Sequence, residues 1–359
     1  MMLNTKHQTP NTREVPNTKF QSDRARRCLL FGAWCLFGVW CLVFGVSPAF
    51  AQRLFVEKPD SAAAEVDKMY VRGLQFLSRS QTAQGNWSDG AYGGEPAIAG
   101  LATLAFLAHG DDPNRGPDAK PVRAGLKFIL ERQDAKTGYI GSSMYNHGFA
   151  TLALAEAYGM VDDERLGPAL EKAVALILQA QKKNTMGAWR YSPEAADADT
   201  TVSGAQMVAL FAARNAGVAV PEDAVQKGLN FFLSRRAPNG GFGYASATDP
   251  NAARTAIGCT ILALAKEKDL KAFQDAVGFL KTAPIDPSHP QYYLYYASQA
   301  FFHASSAEWQ SWNRKNIKAL GTAQNADGSW SGQYGPTFGT ATSLLSLALN
   351  YRYLPIYER

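Results

Sequence analysis

Two kinds of apolar segment alternate along the chain from about residue 66 onward. In the first kind, apolar residues recur with the period of a helix that buries one face. In the second kind almost every position is apolar, which is typical of a helix that is buried on all sides. The short amphipathic segments are 73–77, 125–130, 173–178, 228–233, 276–280 and 316–320, and the longer apolar ones are 97–107, 149–157, 202–213, 255–265, 292–302 and 340–349.

A turn built from glycine and an aromatic residue joins the two segments in five of the six pairs. Glycine supplies the positive φ that ends a helix, and the aromatic side chain buries a large apolar area between neighbouring units. A glutamine before four of these turns has the amide needed to bond free groups at helix ends. The fifth pair has the proline-rich segment 283–290 instead. The turns contain Gln81, Gly85 and Trp87; Gln133, Gly138 and Tyr139; Gln181, Gly187 and Trp189; Gly240 and Phe242; and Gln324, Gly328 and Trp330.

These repeats predict an all-α ring. A period of about 40–55 residues is typical of stacked supersecondary units, each of which packs only against its neighbours. Six apolar helices are expected to form an inner ring, with the six amphipathic helices outside. Because no repeat looks like a polar cap, a closed ring is favoured over an open solenoid. We expect residues 52–65 to be a linker and residues 66–359 to form the ring.

The first 51 residues have the composition of an export signal. Basic residues end at Arg27, an uncharged apolar run follows over residues 28–46, and Ala49-Phe50-Ala51 comes next. This order predicts a secretory signal that is cleaved after Ala51, and a periplasmic or extracellular protein. The apolar run is also long enough to span a bilayer, so a retained N-terminal anchor is the alternative.

Charge and cysteine content exclude several classes of protein. Residues 1–51 carry +4 of the net charge of +5, so the remainder has no basic surplus and a nucleic-acid partner is not expected. Outside the apolar run only Cys259 remains, and its apolar neighbours predict a buried thiol without a disulfide. No cysteine-rich or His-x-x-x-His spacing is present, so neither a metal nor a cofactor is predicted.

The Gln…Gly-x-Trp turns resemble the QW-type repeats of the squalene cyclase and protein prenyltransferase superfamily over about residues 66–355. The resemblance implies an (α/α)6 toroid with an apolar-lined central cavity, and an isoprenoid or other apolar ligand. The prenyltransferases bind zinc with an Asp-x-Cys pair. Ile257 stands two positions before Cys259, so the zinc site is not implied here.

The segment Asp197-Ala198-Asp199-Thr200-Thr201 resembles the Asp-x-Asp-Asp-Thr-Ala motif of squalene–hopene cyclases, and its last three residues resemble the Asp-Cys-Thr-Ala motif of oxidosqualene cyclases. Both resemblances imply that Asp199 is the proton donor and Asp197 a supporting acid. Such a donor must be a carboxylic acid held neutral. Two features depart from the pattern: Thr200 replaces the last Asp, and those cyclases have two toroid domains. The alternative is that Asp199 caps the helix that follows.

The other candidates lie in or near the loops that enter the inner helices. His147 is a candidate partner of the acid, or a packed histidine. Tyr292 and Tyr296 are four residues apart and therefore share a helix face, where their rings are suited to stabilise a cation. The alternative for these tyrosines is ordinary packing. Further candidates for ligand binding are Tyr145, Glu95, Arg254 and Phe338.

Two classes of function remain open. The first is an exported terpenoid cyclase-like enzyme that protonates and cyclises an isoprenoid such as squalene. The second is a non-catalytic toroid that binds an isoprenoid lipid, a peptide or an envelope protein, with peripheral membrane contact or a partner chain that completes the cavity. Carbohydrate processing is a third interpretation, in which Glu95 and Asp199 form the acid pair.

Overall fold

The computed structural model describes residues 61–283 and 290–358, and these residues contain twelve α-helices. The expected export signal, the N-terminal anchor and most of the proline-rich segment lie outside these ranges. None of the described helices is both long and apolar enough to cross a membrane. The helices are α1 (Ser61–Ser80), α2 (Pro96–Leu107), α3 (Ala119–Glu131), α4 (Met144–Ala157), α5 (Leu166–Lys183), α6 (Thr200–Asn215), α7 (Glu222–Ser234), α8 (Ala252–Leu264), α9 (Lys271–Thr282), α10 (Pro290–Ala304), α11 (Ser306–Ala323) and α12 (Pro336–Leu347).

The six even-numbered helices form a closed inner ring. Each packs against the next one in chain order, and α12 packs back against α2. Nearly every residue of these helices is buried, which is why their sequences are apolar on all sides. The prediction of a closed α/α toroid is therefore confirmed. Cys259 of α8 is a buried free thiol in this ring.

The odd-numbered helices form the outer layer, and each packs mainly on the inner helix that precedes it. As a group they are not shorter than the inner helices, although the sequence pattern predicted that they would be. Helix α1 has 20 residues and α5 and α11 have 18 each, whereas α6, the longest inner helix, has 16. The apolar pattern marked only the buried stripe of each outer helix, and polar residues extend the helix at both ends. Helix α1 begins at Ser61, within the segment expected to be a linker.

The glutamine in four of the turns joins two outer helices. The Gln81 side-chain amide donates to the carbonyl of Gly85 in its own turn and to Pro121 of α3, both at 3.0 Å. The indole of Trp87 donates back to the carbonyl of Leu77 at 2.8 Å. The same pair of glutamine bonds recurs at Gln133, Gln181 and Gln324, so these amides hold successive units together.

The last unit closes on the first without a covalent link. The Gln324 amide donates to the carbonyl of Met69 in α1 at 2.9 Å. Gly328 has a φ of 92°, and a Cβ there would lie 2.3 Å from the carbonyl oxygen of Arg72. Only glycine fits such a turn against the neighbouring backbone. The last of the repeat turns therefore closes the ring.

The C-terminal segment 351–358 covers one end of the ring, which the sequence pattern did not predict. Leu354, Ile356 and Tyr357 are buried. The Asn215 amide at the end of α6 donates to the carbonyl of Pro355 at 3.4 Å. This segment therefore packs against the C-terminal ends of inner helices. We call this end of the ring the base, and the opposite end, where the inner helices begin, the mouth.

Candidate functional site

The loops that enter the inner helices gather at the mouth because all six inner helices run in the same direction. The described loops are 81–95, 132–143, 184–199, 235–251 and 324–335. Of the residues singled out from sequence, Glu95, Asp197 and Asp199 lie in these loops. Tyr145, Arg254 and Phe338 lie in the first turn of α4, α8 and α12. The mouth is therefore the place where most candidate side chains come together.

Asp199 is fully buried and caps α6. Its Oδ1 accepts from the main-chain N–H groups of Thr201 and Val202 at 2.8 and 2.9 Å, and from the Thr201 hydroxyl at 2.6 Å. Ser143 and Asn251 cap α4 and α8 at the corresponding positions. The cap interpretation of Asp199 therefore describes its geometry, because small polar caps are a feature of the repeat.

Arg190 connects the two aspartates of the motif, and sequence reasoning missed it. Its Nε lies 3.1 Å from Asp199 Oδ2, close enough for an ion pair although the two groups are not aligned as a hydrogen bond. Its Nη1 pairs with the exposed carboxylate of Asp197. The only sequence signal was that Arg190 directly follows the turn residue Trp189; its approach to Asp199 depends on the path of the loop.

His147 occupies a structural position that recurs around the ring. Its Nδ1 accepts from the main-chain N–H of Ile140 at 3.1 Å, so its Nε2 carries the proton and donates to the carbonyl of Ala173 at 3.0 Å. Burial lowers the pKa of His147 to about 4, although the hydrogen bond to Ala173 opposes this shift. Both ring nitrogens are used within the fold, and neither contacts Asp199.

In three other repeats a hydroxyl oxygen at the corresponding position accepts the hydrogen bond from the main-chain N–H of the turn. The N–H of Trp189 donates to Ser203, that of Phe242 to Thr255, and that of Trp330 to Thr340, at 2.9 to 3.0 Å. Each acceptor lies at the fourth or fifth residue of its inner helix. An alignment of the repeats therefore carries the signal that His147 ties the turn to the inner helix.

Thr201 joins Asp199 to two of the predicted tyrosines. The Tyr145 hydroxyl donates to Thr201 Oγ1, which in turn donates to Asp199. The Tyr292 hydroxyl donates to the Thr201 carbonyl at 3.4 Å. Burial, and then the nearby charge of Asp199, raise the pKa of Tyr145 well above its usual range. The tyrosines around the acid are therefore protonated hydrogen-bond donors.

The guanidinium of Arg190 lies over two further tyrosine rings. Its carbon is 5.2 Å from the centroid of Tyr191 and 5.3 Å from that of Tyr244. The two tyrosine hydroxyls are 2.6 Å apart. Arg254 approaches the Tyr244 ring at 5.2 Å and donates to the carbonyl of Asp249 at 2.8 Å. Arg254 is therefore linked to the acid site through Tyr244, not by direct contact with either aspartate.

Aromatic rings from opposite sides of the ring meet on its axis. The ring centroid of Phe149 in α4 lies 6.4 Å from that of Tyr292 and 6.5 Å from that of Tyr295, both in α10. Helices α4 and α10 are on opposite sides of the ring. Tyr296 is fully buried and stacks edge-on against Tyr292 at 5.2 Å. At this depth the axis is occupied by aromatic contacts, whereas the sequence led us to expect an open cavity. Large aromatic side chains reach across a ring of six helices.

Glu95 and Phe338 belong to separate parts of the mouth. The Glu95 carboxylate accepts from the Asn146 amide and, at 3.2 Å, from the Ser142 hydroxyl. Asp199 instead pairs with Arg190, so within the described ranges the two acids share no contact. Phe338 packs against Tyr334 at 5.1 Å. Glu95 is therefore held by residues around the start of α4, and Asp199 by Arg190 and the start of α6.

Arg190 pairs with both Asp197 and Asp199, so each of these carboxylates already faces a cation. Among the described residues, one group of histidine and acidic side chains has ligand atoms close enough to share an ion, and it comprises His109, Asp111 and Asp118. These residues lie in the segment between α2 and α3, on the side of the base.

No protein-family model matches the chain, and no curated protein is similar to it in sequence. Solved structures do resemble it. The type II terpene cyclase MstE from Scytonema, in a variant complexed with its substrate geranylgeranyl dihydroxybenzoate, has a TM-score of 0.59 at 16% identity, over 80% of this chain and 98% of that one. The enzyme without ligand has a TM-score of 0.59 at 16% identity, over 81% and 99%.

Carbohydrate enzymes have a similar backbone. A family 76 glycoside hydrolase from a bovine Bacteroides thetaiotaomicron strain has a TM-score of 0.61 at 11% identity, over 79% of this chain and 77% of that one. At such low identity the similarity establishes the fold alone. The chain therefore has the terpenoid cyclase-like α/α toroid fold, which family 76 glycoside hydrolases share.

Proposed function

We propose that this chain is a terpenoid cyclase-like enzyme that protonates an isoprenoid at the mouth of the ring, with Asp199 as the acid. The observation that carries this proposal is the position of Asp199. It is buried at the start of an inner helix and hydrogen-bonded through Thr201 to Tyr145 and Tyr292. Tyr292 leads into the aromatic cluster on the ring axis.

The match to MstE supports an enzyme built from one toroid. Because 98% of that chain is covered by its match to this one, a type II terpene cyclase does not require a second toroid domain. One toroid of this size is therefore sufficient for a type II terpene cyclase. Substrate and reaction still have to be inferred from the mouth residues themselves.

The chemistry requires a proton on Asp199. In the structure Oδ1 accepts three hydrogen bonds and Oδ2 faces Arg190, so only Oδ2 is available to carry that proton. Its transfer to an alkene carbon uses the π-electron pair to form a C–H bond and leaves a carbocation. The faces of the nearby tyrosines stabilise such a cation. The carboxylate that remains is stabilised by Arg190, while Asp197 holds the same guanidinium from the other side.

Occupation of the axis also requires movement. Phe149 and Tyr292 contact each other where a polyprene chain would run. Tyr292 is only partly buried and lies near the start of α10. We infer that the ligand enters from the mouth and displaces the Tyr292 ring, because the base is covered by the C-terminal segment.

Product analysis tests this proposal. The purified full-length chain is incubated separately with squalene and with geranylgeranyl dihydroxybenzoate, and extracts are analysed by mass spectrometry. We expect a cyclised product from one of them and a loss of at least about 100-fold in Asp199→Asn. Asparagine is as good a helix cap as aspartate, so this variant keeps the fold. The matched Asn251→Asp variant changes the cap of α8 and should keep the product.

A non-catalytic binding ring is the second candidate. It is favoured by the equivalence of Asp199 with the caps Ser143 and Asn251, and by the engagement of both its oxygens. In that case neither compound is converted, and binding of either isoprenoid is unchanged in Asp199→Asn. Product formed equally by the wild type and Asp199→Asn would exclude Asp199 as the acid.

We also propose that the protein is exported, on the basis of the basic, apolar and Ala-x-Ala order of residues 1–51. An N-terminus at Gln52 in the mature protein, measured by mass spectrometry of cell fractions, would establish cleavage. An intact N-terminus in the membrane fraction would establish the anchor over residues 28–46 instead. We also propose an isoprenoid ligand, peripheral contact with a membrane and a partner chain that completes the cavity.

A further inference from the structure

Three potential metal ligands meet between the end of α2 and the start of α3. His109, Asp111 and Asp118 each offer one ligand atom, and these atoms all lie within 4.8 Å of one another. His109 Nδ1 is 2.9 Å from Asp111 Oδ2. All three residues are partly exposed, so the group is accessible from solvent. The cluster is remote in sequence and place from the loops of the mouth.

The histidine ring is fixed in an orientation that suits ligation. It stacks on Tyr70 with 5.3 Å between centroids and meets Tyr351 edge-on at 5.4 Å. Its Nε2 lies 3.6 Å from Asp67 Oδ1 on α1. A metal-binding histidine typically directs its second ring nitrogen to a carboxylate in this way, which fixes the tautomer and the ring plane. Nδ1 is then the nitrogen that faces Asp111.

The charges around His109 are unbalanced. Among the described residues no lysine or arginine forms an ion pair with Asp67, Asp111 or Asp118. Asp118 also stands at the position before α3 where an aspartate normally caps the helix, but its side chain makes no capping bond. Its carboxylate belongs to the cluster instead. Three carboxylates around one imidazole therefore lack a cation.

We propose that His109, Asp111 and Asp118 bind a divalent metal cation, Zn²⁺ in particular, and that Asp67 positions the histidine. Imidazole nitrogen together with carboxylate oxygen suits zinc better than calcium or magnesium, which prefer oxygen ligands alone. Two ligands at about 2.1 Å from zinc are at most about 4.2 Å apart, so a small rotation of the exposed carboxylates completes the site. The ion would join α2 to α3 and, through Asp67, to α1.

No motif in the sequence indicated this site. The ligands stand at positions 109, 111 and 118, which match neither a paired-cysteine nor a His-x-x-x-His spacing. The expectation of no metal rests on those spacings. Only the fold brings the start of α3 back to the end of α2. This proposal is independent of cyclase activity.

Zinc titration of the full-length chain tests the site. Isothermal titration with ZnCl₂ is combined with the shift in thermal midpoint on adding zinc and its reversal by a chelator. We expect saturable binding that is weakened at least about 10-fold in Asp111→Asn and in Asp118→Asn, and about 10- to 100-fold in Asp67→Asn. Cys28, Cys35 and Cys41 are present in every variant, so the difference between variants reports this site alone.

Asp112→Asn is the matched control. Asp112 lies in the same loop, but its carboxylate accepts from the N–H of Asn114 at 2.8 Å and is not part of the cluster. It should leave zinc affinity and the thermal shift unchanged. Equal zinc affinity in the wild type, Asp111→Asn and Asp118→Asn would overturn the proposal, as would absence of saturable binding by the wild type. Because Asp111 is partly exposed, Asp111→Asn should keep the fold, and circular dichroism checks this.

Discussion

The mouth and the base of the ring each bury a carboxylate, and the two are in opposite surroundings. Asp199 at the mouth is 0% exposed, and Glu156 at the base is 2% exposed. The oxygens of Asp199 meet three hydrogen-bond donors and a guanidinium. Glu156 accepts from the main-chain N–H of Ile356, but its Oε2 has no hydrogen-bond partner within the described ranges.

Helix direction explains part of the difference. Asp199 precedes the first residue of α6, where free N–H groups and the helix dipole favour a negative charge. Glu156 is the second-last residue of α4, where free carbonyl groups and the negative end of the helix dipole disfavour a negative charge. Burial raises the pKa of Glu156 to about 8, the charge of Glu358 adds to this, and the Ile356 hydrogen bond opposes it. Burial therefore leaves Glu156 a neutral acid at pH 7, whereas the equally buried Asp199 lies among hydrogen-bond donors and a guanidinium.

The largest expected effect is a loss of stability between pH 4.5 and pH 8 caused by Glu156. Its pKa is about 8 in the folded state against 4.5 ordinarily, so folding is unaffected below pH 4.5 and is progressively opposed as the pH rises to 8. The free energy of unfolding should fall by roughly 5 kcal/mol across this window, and Glu156→Gln should remove that fall. Urea unfolding from pH 4 to pH 9 measures it.

Glu358→Gln is the control, because Glu358 is the exposed neighbour whose charge adds only a minor part of the shift. It should retain most of the pH dependence. An identical slope in the wild type and Glu156→Gln between pH 5 and 8 would show that Glu156 ionises freely at the base.

His147 should give the opposite pH dependence from the mouth end of the same helix. Its pKa is lowered from 6.5 to about 4, so its contribution is fully present above pH 6.5 and is lost as the pH falls towards 4. We expect a loss of roughly 3 kcal/mol over this range in a Glu156→Gln background, and no such loss when His147→Gln is added. The comparison uses the slope of the free energy of unfolding against pH, so a destabilisation by the glutamine that is equal at every pH does not affect it. A slope that persists in the double variant would assign the acid sensitivity to another group.

Removing the cation of the mouth should be costly. Arg190→Met leaves the buried Asp199 without its ion pair and Asp197 without a partner. We expect a decrease of about 2–3 kcal/mol in the free energy of unfolding at pH 7, below the usual cost for a buried pair because Arg190 is partly exposed. Arg214→Met, which removes a surface pair with Glu222, should cost less than about 0.5 kcal/mol. Equal effects of the two variants would mean that Asp199 needs no counter-charge.

The smallest effect concerns the caps of the mouth. Ser143→Ala removes the hydroxyl that accepts from the Asn146 N–H. We expect the free energy of unfolding, measured with urea, to fall by about 1 kcal/mol. Asp199→Asn should cost less than Asp199→Ala, because asparagine keeps the cap and alanine does not. A cost of Ser143→Ala near zero would show that the first turn of α4 is held by packing alone.

Much of the fold was predictable because it depends on patterns that repeat. Glycine at the turns, the glutamine and tryptophan around it, and the fully apolar inner helices each have a local physical requirement. Helix lengths were predicted less well, since polar residues at the ends of α1, α5 and α11 carry no periodic signal. The fourth turn shows a substitution that the fold explains: Arg236 stands where other turns have glutamine, and it pairs with Asp275 of the next outer helix.

The candidate site was predicted in part. Asp199, Asp197, Tyr145 and Tyr292 do lie together, because they precede or begin inner helices that share one end of the ring. Arg190 was missed because nothing in the spacing shows that its loop turns back to Asp199. His147 was given a possible chemical role because the repeats were not aligned at that position, where Ser203, Thr255 and Thr340 make the same bond.

The sequence by itself determined the ring of paired helices and the order of their layers, since each depends on residues close to one another in the chain. Only the tertiary structure decided the electrostatics. It brought Arg190 to Asp199, placed the segment 351–358 over Glu156, and gathered Asp67 of α1, His109 at the end of α2 and Asp118 at the start of α3. Coulomb and desolvation energies depend on distance and burial in space, and these depend on contacts between residues far apart in sequence.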